Sequence, residues 1–350
     1  MPKILMYSVR DDEQPAIQKW SKDHHVTVDT TNREFHDETV DLAKGYDGIV
    51  IQQRGPISDN DTIYHKLTDM GIKQITTRTA GVDVINLDAA HQAGLIVTNV
   101  PAYSPHSVEE MSVAQTMRLI RNLEIVEKRS DNNDYKLRGP IAREIRTLTV
   151  GIIGAGRIGG LAARLFHALG AKVIAFDPVH HEELKDVLTY VDTKNELLEQ
   201  ADVVDIHVDL NETSRGLLDA DAFKHMKNDA FLVNAARGPV VVTEALIAAL
   251  QNQEIAGAAL DTVEGEAAIF DKDFQGRPIP NQNFNALHAM PNVMITPHIG
   301  FYTNMAIQNM VEISLNDVLA IIDGSLSKMN LNKLNQKELT PIKYQHKFFL

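Results

Sequence analysis

Thr147-Leu148-Thr149-Val150-Gly151-Ile152-Ile153-Gly154-Ala155-Gly156-Arg157-Ile158-Gly159 is a β-rich apolar run that opens directly into glycines, and residues 158–169 then carry apolar side chains at helical spacing. Gly170 ends that helix, residues 172–176 read as a second strand, and Asp177 closes it 18 residues past Gly159. A glycine string alone is weak evidence, but strand, glycine turn, helix, strand and acid in this order predict a Rossmann dinucleotide-binding unit. Gly154 allows the tight turn, Gly156 lets backbone approach a pyrophosphate, and Gly159 lets the helix lie close on the strand. The helix start at Arg157 and Ile158 offers free N–H groups to the phosphates, and Asp177 is placed to take the adenosine ribose hydroxyls.

Outward from this unit the pattern repeats. Upstream, residues 3–9, 25–28, 48–52, 73–78 and 95–98 read as strands, with helices such as residues 14–22 and 63–70 between them. That alternation predicts a smaller, flavodoxin-like doubly wound parallel sheet. Downstream, residues 203–208, 230–234, 256–260 and 293–296 extend the Rossmann sheet to six or so strands. Pro101 and Pro105 mark a hinge, followed by one long helix over residues 106–128 with Val108, Met111, Ala114, Met117, Ile120 and Leu123 on one stripe. The stripe suits domain packing or a subunit interface better than a ligand box. Residues 129–141 read as a linking loop, and the amphipathic helix over residues 304–322 is expected to cross back to the first domain. The expected division is α/β throughout: residues 1–102 and 300–332 as a discontinuous substrate domain, 103–299 as the Rossmann domain, and 333–350 as a loosely held tail.

A chain of 350 residues exceeds the size at which one core stops growing, in keeping with two domains. Its 34 Lys and Arg against 47 Asp and Glu give a formal charge of −13, which repels nucleic acid and anionic membranes. No basic patch offsets this, so neither is an expected partner. With no cysteine, a disulfide framework, a thiolate metal site and a cysteine nucleophile are all excluded. No metal is expected. The first residues run straight into a strand without signal-peptide layout, and no apolar run approaches the ~20 residues of a membrane helix. The expectation is a soluble, cytoplasmic protein.

Open α/β sheets place ligands past the C-terminal ends of their strands. Three polar residues stand there in the second domain. Arg237 follows Phe231-Leu232-Val233-Asn234-Ala235-Ala236, and a guanidinium is the natural bidentate partner of a carboxylate. His298 follows Met294-Ile295-Thr296-Pro297, and imidazole suits proton exchange when a carbonyl is reduced. A carboxylate from Leu260-Asp261-Thr262-Val263-Glu264-Gly265-Glu266 would orient such an imidazole, with Glu264 and Glu266 both in reach of the role.

Together with the glycine turn, Asn99-Val100-Pro101-Ala102-Tyr103-Ser104-Pro105, Asn234-Ala235-Ala236-Arg237-Gly238, residues 260–266 and Thr296-Pro297-His298-Ile299-Gly300-Phe301-Tyr302-Thr303 resemble the D-2-hydroxyacid dehydrogenases. The resemblance covers the chain to about residue 330 and, through residues 269–276, is nearest to the lactate enzymes of lactic acid bacteria. It implies NAD as cofactor, a homodimer, and reversible reduction of a small 2-oxo acid, pyruvate first, to the D-2-hydroxy acid. It assigns Arg237 to the substrate carboxylate and keto oxygen, His298 to the acid/base step and Glu266 to its partner. Asp261 is placed near the nicotinamide amide, with Val208 and Asn234 among the cofactor contacts. Tyr103 and Phe301 would line the substrate pocket, and the backbone of Ala80 and Gly81 would hold the carboxylate. Val242, Asp209 and Val263 depart from the family's usual acid, proline and aromatic, and the first-domain turn has Thr79 and Ala80 for the usual Asn and Val. Larger substrates of the hydroxyisocaproate or phenyllactate kind are the nearest alternative. An NAD(H)-sensing, corepressor-like binding protein is the alternative of another class.

Overall fold

The computed structural model describes residues 1–325, 327 and 329–331. The described residues divide into two units, Met1–Tyr103 with those from Ile307 onward, and Ser104–Ala306.

In the first unit β1 (Lys3–Met6), α1 (Gln14–His24), β2 (Thr27–Thr30), β3 (Gly48–Ile51), α2 (Thr62–Asp69), β4 (Gln74–Thr77), α3 (Leu87–Gln92) and β5 (Ile96–Thr98) follow one another. The sheet order is β2-β1-β3-β4-β5 and every pairing is parallel. Strands β3 and β4 are buried along their whole length, as a parallel sheet covered on both faces requires. Leu5, Ile49, Ile51 and Ile75 cluster with Ile63 and Leu67 of α2, whereas Ile4, Met6 and Val50 cluster with Ile17 and Trp20 of α1. The second cluster is completed by Val311, Leu315 and Val318 of α11 (Asn304–Ile322). That helix corrects one expectation, because at 19 residues and a mean hydropathy of 1.3 it is long and apolar enough to cross a membrane. Its buried stripe instead belongs to the core of the first unit.

In the second unit α4 (Pro105–Ile120) and α5 (Leu123–Ser130) lead into β6 (Thr149–Ile153), α6 (Arg157–Ala168), β7 (Lys172–Phe176), β8 (Thr189–Tyr190), α7 (Lys194–Gln200) and β9 (Val203–Ile206). Then come α8 (Ala220–His225), β10 (Phe231–Asn234), α9 (Thr243–Gln251), β11 (Gly257–Leu260), α10 (Gln282–Ala289) and β12 (Val293–Ile295). The order β12-β11-β10-β9-β6-β7-β8 is again parallel throughout and reverses between β6 and β9, the switch point where doubly wound sheets bind ligands. The short β8 escaped the sequence reading because two residues carry no periodicity.

The helix expected over residues 106–128 is two helices. Asn122 stands at φ 55°, in the left-handed region that asparagine tolerates, and its Nδ2 donates to the Pro140 carbonyl at 3.2 Å. The predicted stripe is also not the buried one. Val108, Ser112, Gln115, Thr116, Leu119 and Ile120 face the core, while Met111 and Met117 are half-exposed and Ala114 is exposed. Packing of this half-polar face on the sheet overrides the apolar count. The second crossing between units falls after Ala306 rather than before residue 300, because Ile299 and Gly300 are bound to Asp261 of the second unit at 3.0 and 2.7 Å. The tail expected over residues 333–350 lies outside the described residues.

Candidate active site

The glycine turn divides its labour as close packing demands. A Cβ on Gly154, which stands at φ 91°, would lie 2.9 Å from the His207 backbone, and one on Gly159 would lie 1.9 Å from the Gly154 carbonyl oxygen. Only glycine lets α6 seat on the turn. A Cβ on Gly156 would meet nothing within 4 Å, so the backbone opens to solvent at the start of α6, as a cradle for phosphate oxygens requires. Exposed Arg157 and half-buried Ile158 form the first residues of that helix. Asp177 follows β7 directly, with Oδ2 accepting from the Ala155 amide at 2.8 Å and Oδ1 from the Val179 amide at 2.7 Å. The acid therefore braces the turn. Val208 stands across from Gly154, 2.8 Å from where its Cβ would be. These residues fit a bound dinucleotide.

Asn234 is buried and committed to protein: its Nδ2 donates to the Arg237 carbonyl at 3.1 Å and its Oδ1 accepts from the Ala236 amide at 3.1 Å. It shapes the turn that presents Arg237. Arg237 is half-buried, with Nη1 donating to the Ala236 carbonyl at 2.8 Å. Next to it Gly238 is pressed so close to the Val263–Glu264 backbone that a Cβ would fall 2.2 Å from Val263 C. The Arg237 turn and the Glu266 turn are thus locked together.

His298 stands at φ 55°, a conformation held against steric preference, with its amide donating to the Thr296 carbonyl at 2.9 Å. Asp261, 1% exposed, supplies the restraint. It accepts from the Thr296 hydroxyl at 2.5 Å and from the amides of Ile299 and Gly300 on either side of the loop. Thr296 also accepts from Gln115 Nε2 at 3.0 Å. His298 Nδ1 meets Glu266 Oε1 at 2.5 Å, and Glu266 Oε2 accepts from the Val263 amide at 3.0 Å. Glu264 is exposed and bonds Thr243 Oγ1 at 3.2 Å instead, so the two carboxylates left open by composition differ in geometry. The Phe301 ring stands edge-on to His298 with centroids 6.4 Å apart. Arg237, Glu266, His298, Asp261 and Phe301 therefore share the C-terminal edge of one sheet, whereas Ala80, Gly81 and Tyr103 belong to the first unit.

In that first unit the turn after β4 is bonded through all three of its carbonyl oxygens. Thr79 O accepts from the Val100 amide at 3.0 Å, Ala80 O from Asn99 Nδ2 at 2.6 Å, and Gly81 O from the Thr79 hydroxyl at 2.7 Å. Beneath it Arg78, fully buried, binds Glu13 through Nε at 2.9 Å and the Tyr7 and Ser8 carbonyls at 3.0 Å each. Tyr103 O accepts from Asn309 Nδ2 at 2.6 Å. The supporting contacts of Asn99 and Arg78 were not readable from the sequence. The available signal was a polar side chain immediately past the end of a strand.

Among the departures, Val263 packs in the core, Asp209 keeps the carbonyl that accepts from Ser214, and Val242 stands at the N-terminus of α9 without capping it.

A doubly wound sheet with a phosphate-type glycine turn at its switch point, and an imidazole–carboxylate pair at the same edge, defines a nucleotide-dependent dehydrogenase domain. Residues 113–300 match the family model "D-isomer specific 2-hydroxyacid dehydrogenase, NAD binding domain". A D-2-hydroxyacid dehydrogenase (NAD(+)) of Clostridioides difficile is 42% identical over 332 residues, covering 94% of this chain and 100% of that protein. A solved D-lactate dehydrogenase from Sporolactobacillus sp. is 58% identical with a TM-score of 0.80, over 95% of this chain and 99% of that one. The NAD complex of a D-isomer specific 2-hydroxyacid dehydrogenase from Lactobacillus delbrueckii ssp. bulgaricus is 41% identical with a TM-score of 0.80, over 93% and 99%. The chain belongs to the D-isomer specific 2-hydroxyacid dehydrogenase family and is an NAD-dependent enzyme of that family.

Proposed function

We propose that the chain interconverts pyruvate and D-lactate with NAD(H). The observation that carries the catalytic assignment is the 2.5 Å contact between His298 Nδ1 and Glu266 on a loop fixed by Asp261. The 58% identical relative, named a D-lactate dehydrogenase, supports the substrate. With Nδ1 turned to the carboxylate, His298 presents Nε2 to the substrate, giving its proton to the carbonyl oxygen in reduction and taking it back in oxidation. A dinucleotide held by the glycine turn would supply the hydride in reduction and take it in oxidation. Arg237 pairs with the substrate carboxylate and polarises the carbonyl. Asp261 keeps the His298 loop in register, Phe301 limits bulk beside it, and Ala80, Gly81 and Tyr103 are the proposed substrate contacts of the first unit. Gly154, Gly156, Arg157, Ile158, Gly159, Asp177, Val208 and Asn234 are the proposed cofactor set.

The test of substrate is kcat/KM with NADH over a panel of 2-oxo acids. Pyruvate is expected to exceed 2-oxoisocaproate and phenylpyruvate by about tenfold, since each methylene a pocket rejects is worth roughly 1–3 kcal/mol. Higher efficiency with the branched acid would reassign the enzyme to the hydroxyisocaproate type.

Asp177 also sets the choice of dinucleotide. Its carboxylate would meet the 2′-phosphate of NADPH with like charge, a juxtaposition costing several kcal/mol. NADH is expected to exceed NADPH by about a hundredfold or more in kcat/KM. Equal efficiency with the two would remove Asp177 from the cofactor site.

The proposed setting is a cytoplasmic homodimer. Half-exposed Met111 and Met117 and exposed Val126, Tyr135, Leu137 and Ile141 of the second unit are apolar side chains that self-association would cover.

A further inference from the structure

The turn that follows β4 is built with more side-chain support than a connecting loop needs. The Thr77 hydroxyl accepts from the Thr79 amide at 3.3 Å and meets the Thr79 hydroxyl at 2.7 Å, which in turn donates to Gly81 O at 2.7 Å. On the other side Asn99, 7% exposed at the end of β5, reaches over to hold Ala80 O at 2.6 Å. Every carbonyl of residues 79–81 is thereby occupied, and none of the hydrogen bonds among the described residues uses the amides of Ala80 or Gly81. Consecutive amides of one turn that meet no protein acceptor are the donors from which an anion-binding nest is built. The shape of that nest depends on where the carbonyls are tied, since turning one peptide plane carries its N–H and C=O together.

We propose that Asn99, assisted by the Thr79 hydroxyl, is a positioning residue for the substrate carboxylate: it fixes the Ala80 peptide so that the nest stays formed. The inference rests on the dehydrogenase reading above. Asn99 does not touch substrate in this account. It acts through the turn, so its removal weakens binding of the carboxylate while leaving proton and hydride transfer to other residues.

Steady-state kinetics on the full chain test this, with oxamate as a carboxylate-bearing competitive probe and NADH affinity read by fluorescence. In Asn99→Ala, KM for pyruvate and Ki for oxamate are expected to rise together by about tenfold, the scale of one well-made hydrogen bond. The expected kcat stays within about twofold and NADH affinity is unchanged, because the nucleotide domain is untouched. Asn99→Asp is expected to raise KM further, since it removes the donor and sets a like charge near the nest. Thr79→Val, similar in shape but without the hydroxyl, is expected to show the same split and decides the matter if Asn99→Ala does not fold. Wild-type KM in these variants overturns the proposal, as does a loss of kcat and NADH affinity in step with KM, which is the mark of a merely structural role. A wild-type enzyme that neither reduces pyruvate nor binds oxamate would overturn the dehydrogenase reading itself, before any variant is compared.

Discussion

His298→Ala is expected to lower kcat for pyruvate reduction by about 10³-fold, within the range that general acid catalysis contributes. The reduced carbonyl oxygen must receive a proton as hydride arrives, and neither chain neighbour of His298 carries a titratable side chain. Pro297 precedes it and Ile299 follows, and both lack a proton to give. Glu266→Gln should cost about 10² or more in kcat by a different route. The carboxylate can only accept from Nδ1–H, so the ring that has given up its Nε2 proton is left as the tautomer able to take it back, whereas an amide can donate to Nδ1 and hold the neutral ring with its proton on Nε2, the tautomer that cannot take one. Glu264→Gln is the control, because Glu264 is exposed and bonded to Thr243 rather than to the histidine. Single-turnover measurements with pyruvate and NADH check all three. A Glu264→Gln loss equal to that of Glu266→Gln would show the carboxylate wrongly chosen.

Arg78→Met should be the most damaging change to stability in the first unit. Burial pushes the Arg78 guanidinium below its ordinary pKa, and Glu13, itself without exposure, opposes that shift. Removing the cation leaves Glu13 enclosed with its main partner gone and strips the Tyr7 and Ser8 carbonyls of their donors. Breaking a buried pair from one side typically costs about 3–5 kcal/mol. For a protein of this size that corresponds to a Tm lower by about 10 °C. The double variant Arg78→Met with Glu13→Leu should recover much of the loss, because an apolar pair need not be desolvated. Thermal unfolding of the two variants side by side is the check, and a single variant as stable as the wild type would contradict it.

The two sheets were legible because both are parallel and covered on each face, so their strands are short apolar runs between turn residues. The strands expected at residues 48–52 and 203–208 emerge as Gly48–Ile51 and Val203–Ile206. The cofactor turn was equally plain, since Gly154 and Gly159 are forced by contact, as the 1.9 Å approach at Gly159 shows, and Gly156 leaves the backbone open. Sequence could not show the break at Asn122, which rests on a bond from its side chain to Pro140, a residue distant in the chain. Nor could it show that α4 turns Ser112, Gln115 and Thr116 inward, because tertiary packing and not hydropathy decides that face. In the candidate site the residue types were readable one by one, but the choice between Glu264 and Glu266 needed the resemblance. The supporting residues were invisible for the same reason. Asp261 holding three donors around His298, and Asn99 holding Ala80 O, are contacts between strands far apart in sequence.

The most direct test of the central claim is the configuration of the product. Pyruvate and NADH incubated with the purified chain should yield NAD and lactate in equal amounts, with the lactate entirely the D-enantiomer by chiral chromatography. L-lactate, a racemic mixture, or no pyruvate-dependent oxidation of NADH would contradict the account.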